Sequence, residues 1–455
     1  MTDWTPSTLP RGKPRYVAIA DAIADDIRSG RLGEGARLPP QRGLAAALGV
    51  DFTTVSRAYS EAQARGDVES HVGRGTFVKA RVIADRPDLA RAGEVDLTMN
   101  MPPEPQDPEL RQKMKEGLGY VAANMIDLLR YQSAIGAERD REAASSWLSL
   151  RGMVPSLERI AVTPGAHATM AAIFSVITKP GDIVLCEAIT YPGLRNLAGR
   201  FGLDLQGVEM DEDGVIPSAL EAAIRRHRPT ALYLNPTLQN PTTITIPEAR
   251  RLEIAEILQR HRLPLIEDDA YGFIPMRAPA PVAVSAPDLT WHIGGLAKCI
   301  GAGLRLAFTV APTPGDAHQL SQAMRALAVM PSPLSLALTT QWIEDGTADA
   351  IRRFIRAESA ARQTLAAEVL EGASFRAAPN AFNIWLDLPD GVSRAGVIAR
   401  MARHQLGLVP SDAFAVLDPA GEQIRVCLGG PGSRNALQQN LHALASTLAA
   451  DSFMG

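Results

Sequence analysis

The chain has 455 residues, of which 46% are apolar and 21% are charged, which is typical of a globular protein with two or three domains. The formal net charge of −4 divides into +2 over residues 1–79 and −6 over the rest, too slight an asymmetry to indicate nucleic-acid binding by itself. No apolar run reaches the length of a bilayer span, and the polar N-terminus does not look like a signal peptide. The three cysteines show neither metal nor disulfide spacing. We therefore expect a cytoplasmic protein without a membrane partner or a metal site.

The first 79 residues predict three helices followed by a small hairpin. A helical apolar pattern begins at Tyr16 and ends at Ser29-Gly30, and a short second helix spans residues 41–48. A third helix is predicted from Thr53 to about Arg65, and two extended pieces then flank residues 73–75. This order of elements is typical of a winged helix-turn-helix, with a helical protein-interaction module as the alternative.

The same segment resembles the DNA-binding domain of GntR-type bacterial regulators. The matching motifs recur in order across about sixty residues, from Ile27-x-x-Gly30 through Leu38-Pro39 to Thr76-Phe77-Val78. The resemblance implies that the N-terminal part of the third helix reads the major groove of double-stranded DNA. Phe52 stands where such regulators often have an arginine, which leaves the base-reading set open. The predicted DNA-binding residues are Arg42, Thr53, Thr54, Arg57, Arg74 and Gly75.

A segment without a clean period, residues 80–94, is predicted to be a linker that precedes a second domain, 95–455. In that domain helical stretches alternate with short apolar runs, which predicts a mostly parallel sheet with helices on both faces. A long helix from about Thr347 to Leu370 and a smaller C-terminal α+β unit follow. The predicted fold class is thus α/β with a winged helix-turn-helix in front.

One stretch, His292 to Phe308, carries the strongest chemical signal. It places Lys298 in an apolar, glycine-rich setting, and Arg305 follows one short loop later. A desolvated lysine is nucleophilic toward an aldehyde, and an arginine fork suits a phosphate. Together they suggest pyridoxal 5'-phosphate held through a Schiff base. The alternative is a buried structural lysine beside an arginine ion pair.

Four further loops follow predicted strands. Gly165-Ala166-His167 opens a helix whose backbone N–H groups suit a phosphate. Tyr191 can stack on a flat ring, and Asn240 lies in an Asn-Pro-rich loop at the expected carboxyl edge of the sheet. A strand ending in Asp268-Asp269 offers a carboxylate for a pyridine nitrogen, although helix capping or a solvated loop would also account for either acid.

These pieces in this order resemble fold type I aminotransferases. The resemblance implies that Lys298 forms the Schiff base and that Asp268 pairs with the pyridine nitrogen. It implies an arginine for a substrate or effector α-carboxylate, Arg425, and a tyrosine that reaches the phosphate of a neighbouring subunit, Tyr131. The implied cofactor-binding set is Lys298, Asp268, Tyr271, Asn240, Tyr191, Gly165, Ala166, His167, Arg305 and Tyr131. Gly295 and Ala297 stand where the family usually has hydroxyl residues, so two hydrogen bonds of about 1 kcal/mol each are missing.

The two resemblances together are those of the MocR/GabR-type transcriptional regulators. They imply a homodimer in which an amino acid or amine forms an external aldimine, displaces Lys298 and changes how the protein holds DNA. An active aminotransferase that keeps a DNA-binding head is the main alternative, because Lys298, Asp268, Tyr271 and Arg425 are all present. A DNA-binding protein with a cofactor-free body is a third interpretation, disfavoured by the joint presence of Lys298 and Arg305.

Overall fold

The computed structural model describes residues 4–6, 9, 12–28, 31–33, 35–71, 75–79, 95–417 and 421–452. Contacts divide the chain into two compact units, Met1–Val95 and Asp96–Gly455. The predicted linker, residues 80–94, lies outside the described residues, so its boundaries stay a prediction. In the described part of the chain no helix is long and apolar enough to cross a membrane.

The first unit is a three-helix cluster with a two-stranded wing. Its elements are α1 (Arg15–Arg28), α2 (Gln41–Leu48), α3 (Phe52–Ala64), β1 (Val68–His71) and β2 (Gly75–Val78). The apolar stripes of α1 and α3 form its core, in which Ile19, Ile23 and Val55 are fully buried. The hydroxyl of Tyr59 donates to the carbonyl of Pro39 at 2.8 Å and so ties α3 to the chain before α2. The predicted winged helix-turn-helix is confirmed, with α3 beginning one residue earlier than expected.

The second unit contains the remaining helices and strands. Its helices are α4 (Pro108–Ala123), α5 (Met125–Leu128), α6 (Glu138–Ser149), α7 (Ala166–Ile177), α8 (Pro192–Phe201), α9 (Pro217–His227), α10 (Glu248–His261), α11 (Val282–Ser285), α12 (Pro314–Ala328), α13 (Pro333–Glu344), α14 (Thr347–Val369), α15 (Arg394–Met401) and α16 (Arg434–Ser452). Its strands are β3 (Ile160–Thr163), β4 (Ile183–Glu187), β5 (Asp204–Val208), β6 (Met210–Asp211), β7 (Gly214–Val215), β8 (Ala231–Leu234), β9 (Leu265–Asp268), β10 (Thr290–Gly295), β11 (Ala307–Val310), β12 (Phe375–Arg376), β13 (Asn383–Asp387), β14 (Leu408–Pro410) and β15 (Gln423–Cys427).

Seven of the described strands form one large sheet in the order β3-β11-β10-β9-β8-β4-β5. Within it β11 runs antiparallel to both of its neighbours and the other strands run parallel, as the alternation of helices and apolar runs predicts. Helices cover both faces of this sheet. Successive side chains of a strand point to opposite faces, and on β11 Phe308 packs in one hydrophobic core whereas Ala307 packs in the other. The edge strand β5 was not expected, because its sequence Asp-Leu-Gln-Gly-Val has little apolar character.

A smaller antiparallel sheet, β12-β13-β15-β14, packs with α14, α15 and α16 around a separate core. It supplies Arg425 from β15, whereas the large sheet supplies Asp268 from the end of β9 and leads from β10 to Lys298. Because parallel strands β8, β9 and β10 end at the same edge, the loops that follow them meet there. The candidate site forms where this edge meets β15.

Candidate functional site

Lys298 lies one turn beyond β10, within a π-helical turn from Ala297 to Gly301. Its ammonium donates to the backbone carbonyls of Met99 at 2.9 Å and Asn100 at 2.8 Å. Burial, assisted by the positive charge of Arg425, lowers the pKa of Lys298 to about 8. The lysine therefore holds its proton far less tightly than an exposed lysine does, which is the property predicted for an imine-forming amine.

Asp268 ends β9, beside β10 in the sheet. One carboxylate oxygen, Oδ2, accepts from the hydroxyl of Tyr233 at 2.9 Å, whereas the buried Oδ1 has no hydrogen-bond partner among the described residues. Burial, reinforced by the charge of Asp269, raises the pKa of Asp268 to about 6. A buried carboxylate oxygen without a donor suits a ligand that brings a protonated nitrogen.

Asp269 is neither a helix cap nor solvated, contrary to the alternatives considered for it. Its side chain is fully buried and forms an ion pair with Arg151, whose Nε lies 2.7 Å from Oδ2. The ring nitrogen Nε2 of His292 lies 3.3 Å from the same oxygen. Although burial alone would raise its pKa, Arg151 and His292 hold the pKa of Asp269 well below its usual range. The two adjacent acids thus have different surroundings: Asp269 is paired within the protein and Asp268 is open on one oxygen.

Arg425 is a buried guanidinium on β15. Its Nη1 donates to the side-chain oxygen of Asn240 at 2.7 Å, its Nη2 contacts the carbonyl of Thr98, and its Nε has no partner in the described part of the chain. It lies over the ring of Phe414, 5.1 Å from the ring centroid. No carboxylate among the described residues forms an ion pair with Arg425, so a buried positive charge is left for an anionic ligand.

Tyr271 and Asn240, both members of the implied cofactor-binding set, have different partners in this structure. The hydroxyl of buried Tyr271 accepts from the amide of Asn100 at 2.9 Å, and burial raises its pKa above the usual range. Asn240 contacts Arg425 through its oxygen, as described above, and its backbone N–H donates to Asn235 at 2.9 Å. Asn240 is thereby joined to the predicted carboxylate-binding arginine.

The predicted phosphate cradle forms at the start of α7. Gly165 precedes the helix with a φ of +94°, a backbone conformation that favours glycine. A Cβ at this position would lie 3.5 Å from Nη2 of Arg305, so the guanidinium lies directly over the glycine. Partial burial and the charge of Arg305 lower the pKa of His167, which places these side chains within electrostatic reach of one another. Gly165, Ala166, His167 and Arg305 are thus brought together.

Two predicted aromatic residues occupy different environments. Tyr191 is half-buried, and its ring folds over Gly193, where an added Cβ would lie 2.3 Å from ring atoms. Burial and the charge of Asp268 raise the pKa of Tyr191. Tyr131 lies on the surface, 87% exposed, in the loop between α5 and α6. The structure places Tyr191 within electrostatic range of Asp268 but does not bury Tyr131 in the site of its own chain.

The two positions that lack hydroxyls lie close to the cradle. A Cβ at Gly295 would contact the Cβ of Ala166 at 3.6 Å, so a side chain there would point toward the first turn of α7. Ala297 begins the turn that holds Lys298. Neighbouring Cys299 is fully buried and free, and burial raises its pKa to about 12, which favours the inert thiol over a redox role.

Sequence reasoning missed several residues that surround the site. Asn100 binds Tyr271, and its carbonyl accepts from Lys298. Glu187, buried at the end of β4, accepts from the backbone N–H of Asn235 at 2.6 Å and from the hydroxyl of Thr190 at 2.9 Å. A polar residue at the end of an apolar strand was an available signal for Glu187, whereas nothing local distinguishes Asn100.

In the first unit, α3 presents a capped N-terminus. Asp51 accepts from the backbone N–H of Thr53 at 2.8 Å and from its hydroxyl at 2.5 Å, so this hydroxyl serves the helix cap. Thr54 is half-buried and Arg57 is exposed on the same helix. The guanidinium of Arg57 lies 4.3 Å from the ring centroid of Tyr16.

Arg42 is exposed and lies 5.9 Å from the ring centroid of Phe52, which is itself 44% exposed. Gly75 begins β2, and a Cβ there would lie 2.8 Å from Nε of Arg37. Arg74, predicted at the tip of the wing, lies outside the described residues. Arg42 and Arg57 are therefore both exposed cations that rest on aromatic rings near α3.

Both units match known families. Residues 92–444 match the family described as aminotransferase class I and II, and residues 15–78 match the family described as bacterial regulatory proteins, gntR family. The chain therefore belongs to the aminotransferase class I and II family and carries a GntR-type helix-turn-helix domain in front of it. This is the organisation of the MocR/GabR-type transcriptional regulators, and the predicted resemblance is confirmed.

Individual relatives agree with this assignment. The chain is 27% identical to the uncharacterized HTH-type transcriptional regulator YdeF of Bacillus subtilis, covering 98% of this chain and 96% of the relative. It is 26% identical to the probable rhizopine catabolism regulatory protein MocR of Rhizobium meliloti, covering 73% and 72%. Among solved structures, α-aminoadipate aminotransferase LysN of Thermus thermophilus, complexed with N-(5'-phosphopyridoxyl)-L-leucine, matches with a TM-score of 0.71 at 22% identity, covering 79% of this chain and 93% of LysN. The last likeness shows the fold alone.

Proposed function

We propose that this transcriptional regulator holds pyridoxal 5'-phosphate in residues 95–455 and uses it to sense an amino acid or amine. The observation that carries the proposal is a pair of unpaired charged groups at the site: among the residues that the structure describes, the buried Oδ1 of Asp268 has no donor and the buried Arg425 has no carboxylate partner. A protein that kept a structural lysine in an inert core would have paired these groups internally, as it does for Asp269 and Arg151.

The residues fit the cofactor. Oδ1 of Asp268 would accept from the pyridine nitrogen, and Tyr191 would stack on the ring. The N-terminus of α7 with Arg305 would hold the phosphate, because orphan N–H groups and a guanidinium both suit a dianion. Tyr271 and Asn240 would face the phenolic oxygen. When bound, the cofactor supplies an aldehyde that exchanges imines between amines.

Lys298 would supply the amine that anchors the cofactor. With a pKa of about 8, roughly a quarter of the lysine is neutral at pH 7.5, against about 0.1% for an ordinary lysine. This difference raises the concentration of the nucleophile by more than a hundredfold. An incoming effector amine would displace Lys298 from the imine, while Arg425 holds the effector carboxylate as a bidentate fork.

The DNA-binding unit, residues 1–79, would place α3 in the major groove. Arg42 and Arg57 are the exposed cations beside this helix, with Thr54 and Gly75 as further contacts and Arg74 at the predicted wing tip. Thr53 would contribute less to base recognition, because its hydroxyl already donates a hydrogen bond to Asp51. Residues 80–94 would form the linker, and binding to chromosomal DNA would place the protein in the cytoplasm.

We further propose a homodimer. Support comes from a group of exposed apolar side chains on α4, α5 and the loop that follows, with Ile126 72% exposed and Tyr131 87% exposed. Exposed apolar patches of this kind are typical of protein interfaces. In a dimer Tyr131 would be free to reach the phosphate of the neighbouring site, and twofold symmetry suits repeated DNA half-sites.

The cofactor is tested by absorbance spectroscopy. Protein loaded with pyridoxal 5'-phosphate should show an imine band, and Lys298→Ala should lose it while retaining at most weak, non-covalent cofactor. Lys179→Ala, which changes an exposed lysine, is the matched control and should keep the band. An unchanged band in Lys298→Ala would exclude the assignment.

DNA binding is tested by footprinting on the region upstream of the protein's own gene. Binding should fall steeply with salt, because each arginine that neutralises a phosphate releases counterions. Arg42→Ala and Arg57→Ala should weaken binding with the imine band intact, whereas Arg200→Ala, exposed on α8, should not. Absence of protection at low salt would count against the regulator.

The rival function is that of a working aminotransferase, which the fold and the joint presence of Lys298, Asp268, Tyr271 and Arg425 favour. Adding candidate amino acids and then a 2-oxo acid separates the two functions. A spectral shift coupled to changed DNA affinity, without a new amino acid, supports a sensor. Steady production of a new amino acid at about 1 per second or faster would support the enzyme instead.

A further inference from the structure

One short segment, Leu97–Asn100, contacts both functional groups of the site through its backbone. Lys298 donates to the carbonyls of Met99 and Asn100, and Arg425 donates to the carbonyl of Thr98. Two cations, one in the turn after β10 and one on β15, therefore converge on three consecutive residues. We call Leu97–Asn100 the strap.

Besides these two cations, Asp96 holds the strap, since its carboxylate accepts from the backbone N–H of Thr98 at 2.9 Å and from the Thr98 hydroxyl at 2.5 Å. Met99 is 58% exposed and Thr98 is also exposed, so only Asn100 is buried. Asn100 adopts a left-handed conformation with a φ of +49° and donates from its amide to Tyr271 and, at 3.1 Å, to Asn383. With little apolar burial to fix it, the position of the strap depends on polar contacts, which are those from Asp96 and those from the site.

The strap also occupies a special place in the chain. Only two residues separate residue 97 from the predicted linker, residues 80–94, and that linker leads to the DNA-binding unit. A displacement of the strap is therefore applied directly to the end of the connection between effector site and DNA-binding domain. No other part of the described site has this covalent proximity to the linker.

The state of Lys298 decides how many donors the strap receives. While the lysine nitrogen is joined to the cofactor by an imine, it carries at most one N–H and cannot serve both carbonyls. When an effector amine replaces it, the carbon–nitrogen double bond to Lys298 breaks, one to the effector nitrogen forms, and the hydrogens of the effector amine pass to the lysine. The freed primary amine then has the donors that both carbonyls require.

We propose that Lys298, once released from the cofactor, donates hydrogen bonds to the carbonyls of Met99 and Asn100 and so fixes the position of the strap. Effector binding is thereby transmitted to the linker. We call this interaction the latch. The inference rests on the proposed function and names its regulation. The lysine is the moving part: it is held by the cofactor before the effector arrives and by the strap afterwards.

Two cofactor forms test the latch without knowledge of the effector. Pyridoxal 5'-phosphate ties Lys298 as an imine, whereas pyridoxamine 5'-phosphate fills the same site and leaves the lysine free. Hydrogen–deuterium exchange of residues 97–101 in the full-length protein should be slower in the pyridoxamine form by about 5–30-fold, since one or two hydrogen bonds separate the forms. In Lys298→Ala the difference should disappear. Equal exchange of residues 97–101 in both forms of the wild type would overturn the latch.

A glycine that contacts the strap provides an independent perturbation. A Cβ at Gly407 would lie 2.1 Å from the carbonyl oxygen of Leu97, so Gly407→Ala must displace the strap without touching Lys298. Gly429→Ala acts similarly through Met101 and serves if the first variant is poorly folded. Gly432→Ala, where nothing lies within 4 Å, is the matched control.

DNA affinity on the upstream duplex should differ between the two cofactor forms in the wild type and in Gly432→Ala. In Gly407→Ala it should become the same in both, with the imine band unchanged. A difference that survives in Gly407→Ala and Gly429→Ala would refute transmission through the strap. If the wild type formed no imine band with pyridoxal 5'-phosphate, the proposed function itself would be refuted. This outcome is distinguishable from failure of the latch alone.

Discussion

The adjacent acids Asp268 and Asp269 should respond oppositely to the same substitution. Asp269→Asn removes the charge that pairs with Arg151, whose side chain is 4% exposed, and leaves the guanidinium buried without a counter-ion. Breaking a buried pair by removing one partner costs about 3–5 kcal/mol. This is a large part of the free energy of unfolding of a typical domain, about 5–15 kcal/mol.

Asp268→Asn should leave the cofactor-free protein as stable as the wild type or more stable. The folded-state pKa of Asp268 is raised to about 6 from 3.8, so the stability it contributes is present below pH 3.8 and is lost as pH rises through about 6. At pH 8 the ionised carboxylate therefore costs up to about 3 kcal/mol, which asparagine removes while its oxygen still accepts from Tyr233. At pH 4 the gain should nearly vanish.

The assay is urea unfolding of cofactor-free protein at pH 8 and pH 4, followed by fluorescence of the buried body tryptophans, Trp147 and Trp291 among them. Titration with pyridoxal 5'-phosphate should then show weakened binding in Asp268→Asn, because the pyridine nitrogen loses its charged partner. Equal destabilisation by the two substitutions at pH 8 would refute the division of roles between the acids.

Three further predictions concern the body. When pyridoxal 5'-phosphate is added to cofactor-free protein, the rate of imine formation should rise about tenfold from pH 7 to pH 9. The reason is that the pKa of Lys298 is about 8 and only the neutral amine attacks. A rate that keeps rising to pH 10 would place the pKa of Lys298 at its ordinary value. Glu187→Gln should reduce the loss of unfolding free energy that the wild type shows between pH 5 and 8. Burial raises the pKa of Glu187 to about 7, so its ionisation costs up to about 3 kcal/mol at higher pH. Urea midpoints that still fall with pH as in the wild type would contradict this. Gly117→Ala should destabilise the second unit by about 1–3 kcal/mol, because the added Cβ would lie 2.3 Å from Nε1 of Trp342. Gly119→Ala, on the same helix with nothing within 4 Å, should stabilise it by about 0.5–1 kcal/mol. Thermal unfolding of both variants checks these two values.

Local patterns in the sequence were enough to predict the architecture. The apolar periods of α1 and α3, the alternation of strands and helices, and the turn chemistry at Gly165 are all recorded within a few residues of the chain. The edge strand β5 was missed because an edge needs little apolar surface, so its sequence lacks the signal that predicts the central strands.

The chemistry of single residues was only partly predictable. The motifs select Lys298 and Arg305 as a pair, because one short loop holds both residues. The choice between Asp268 and Asp269 depends on Arg151 and His292, which lie far away in the sequence and reach Asp269 only in the folded sheet. The position of Asp268 in the motif predicted its role as partner of the pyridine nitrogen. Only the tertiary contacts show that Asp269 is already paired within the protein and Asp268 is not.

The strap is decided by tertiary structure alone. Nothing near Asn100 in the sequence marks it as part of a site, since the segment has no strong period. Its partners Tyr271, Lys298 and Arg425 lie between 171 and 327 residues away from the strap residues they contact. The sequence determines which side chains can form an imine, grip a carboxylate or cap a helix, because those are properties of residues and their neighbours. Which backbone carbonyls meet the lysine and the arginine depends on how two sheets and one connecting segment pack, and only the folded chain brings them together.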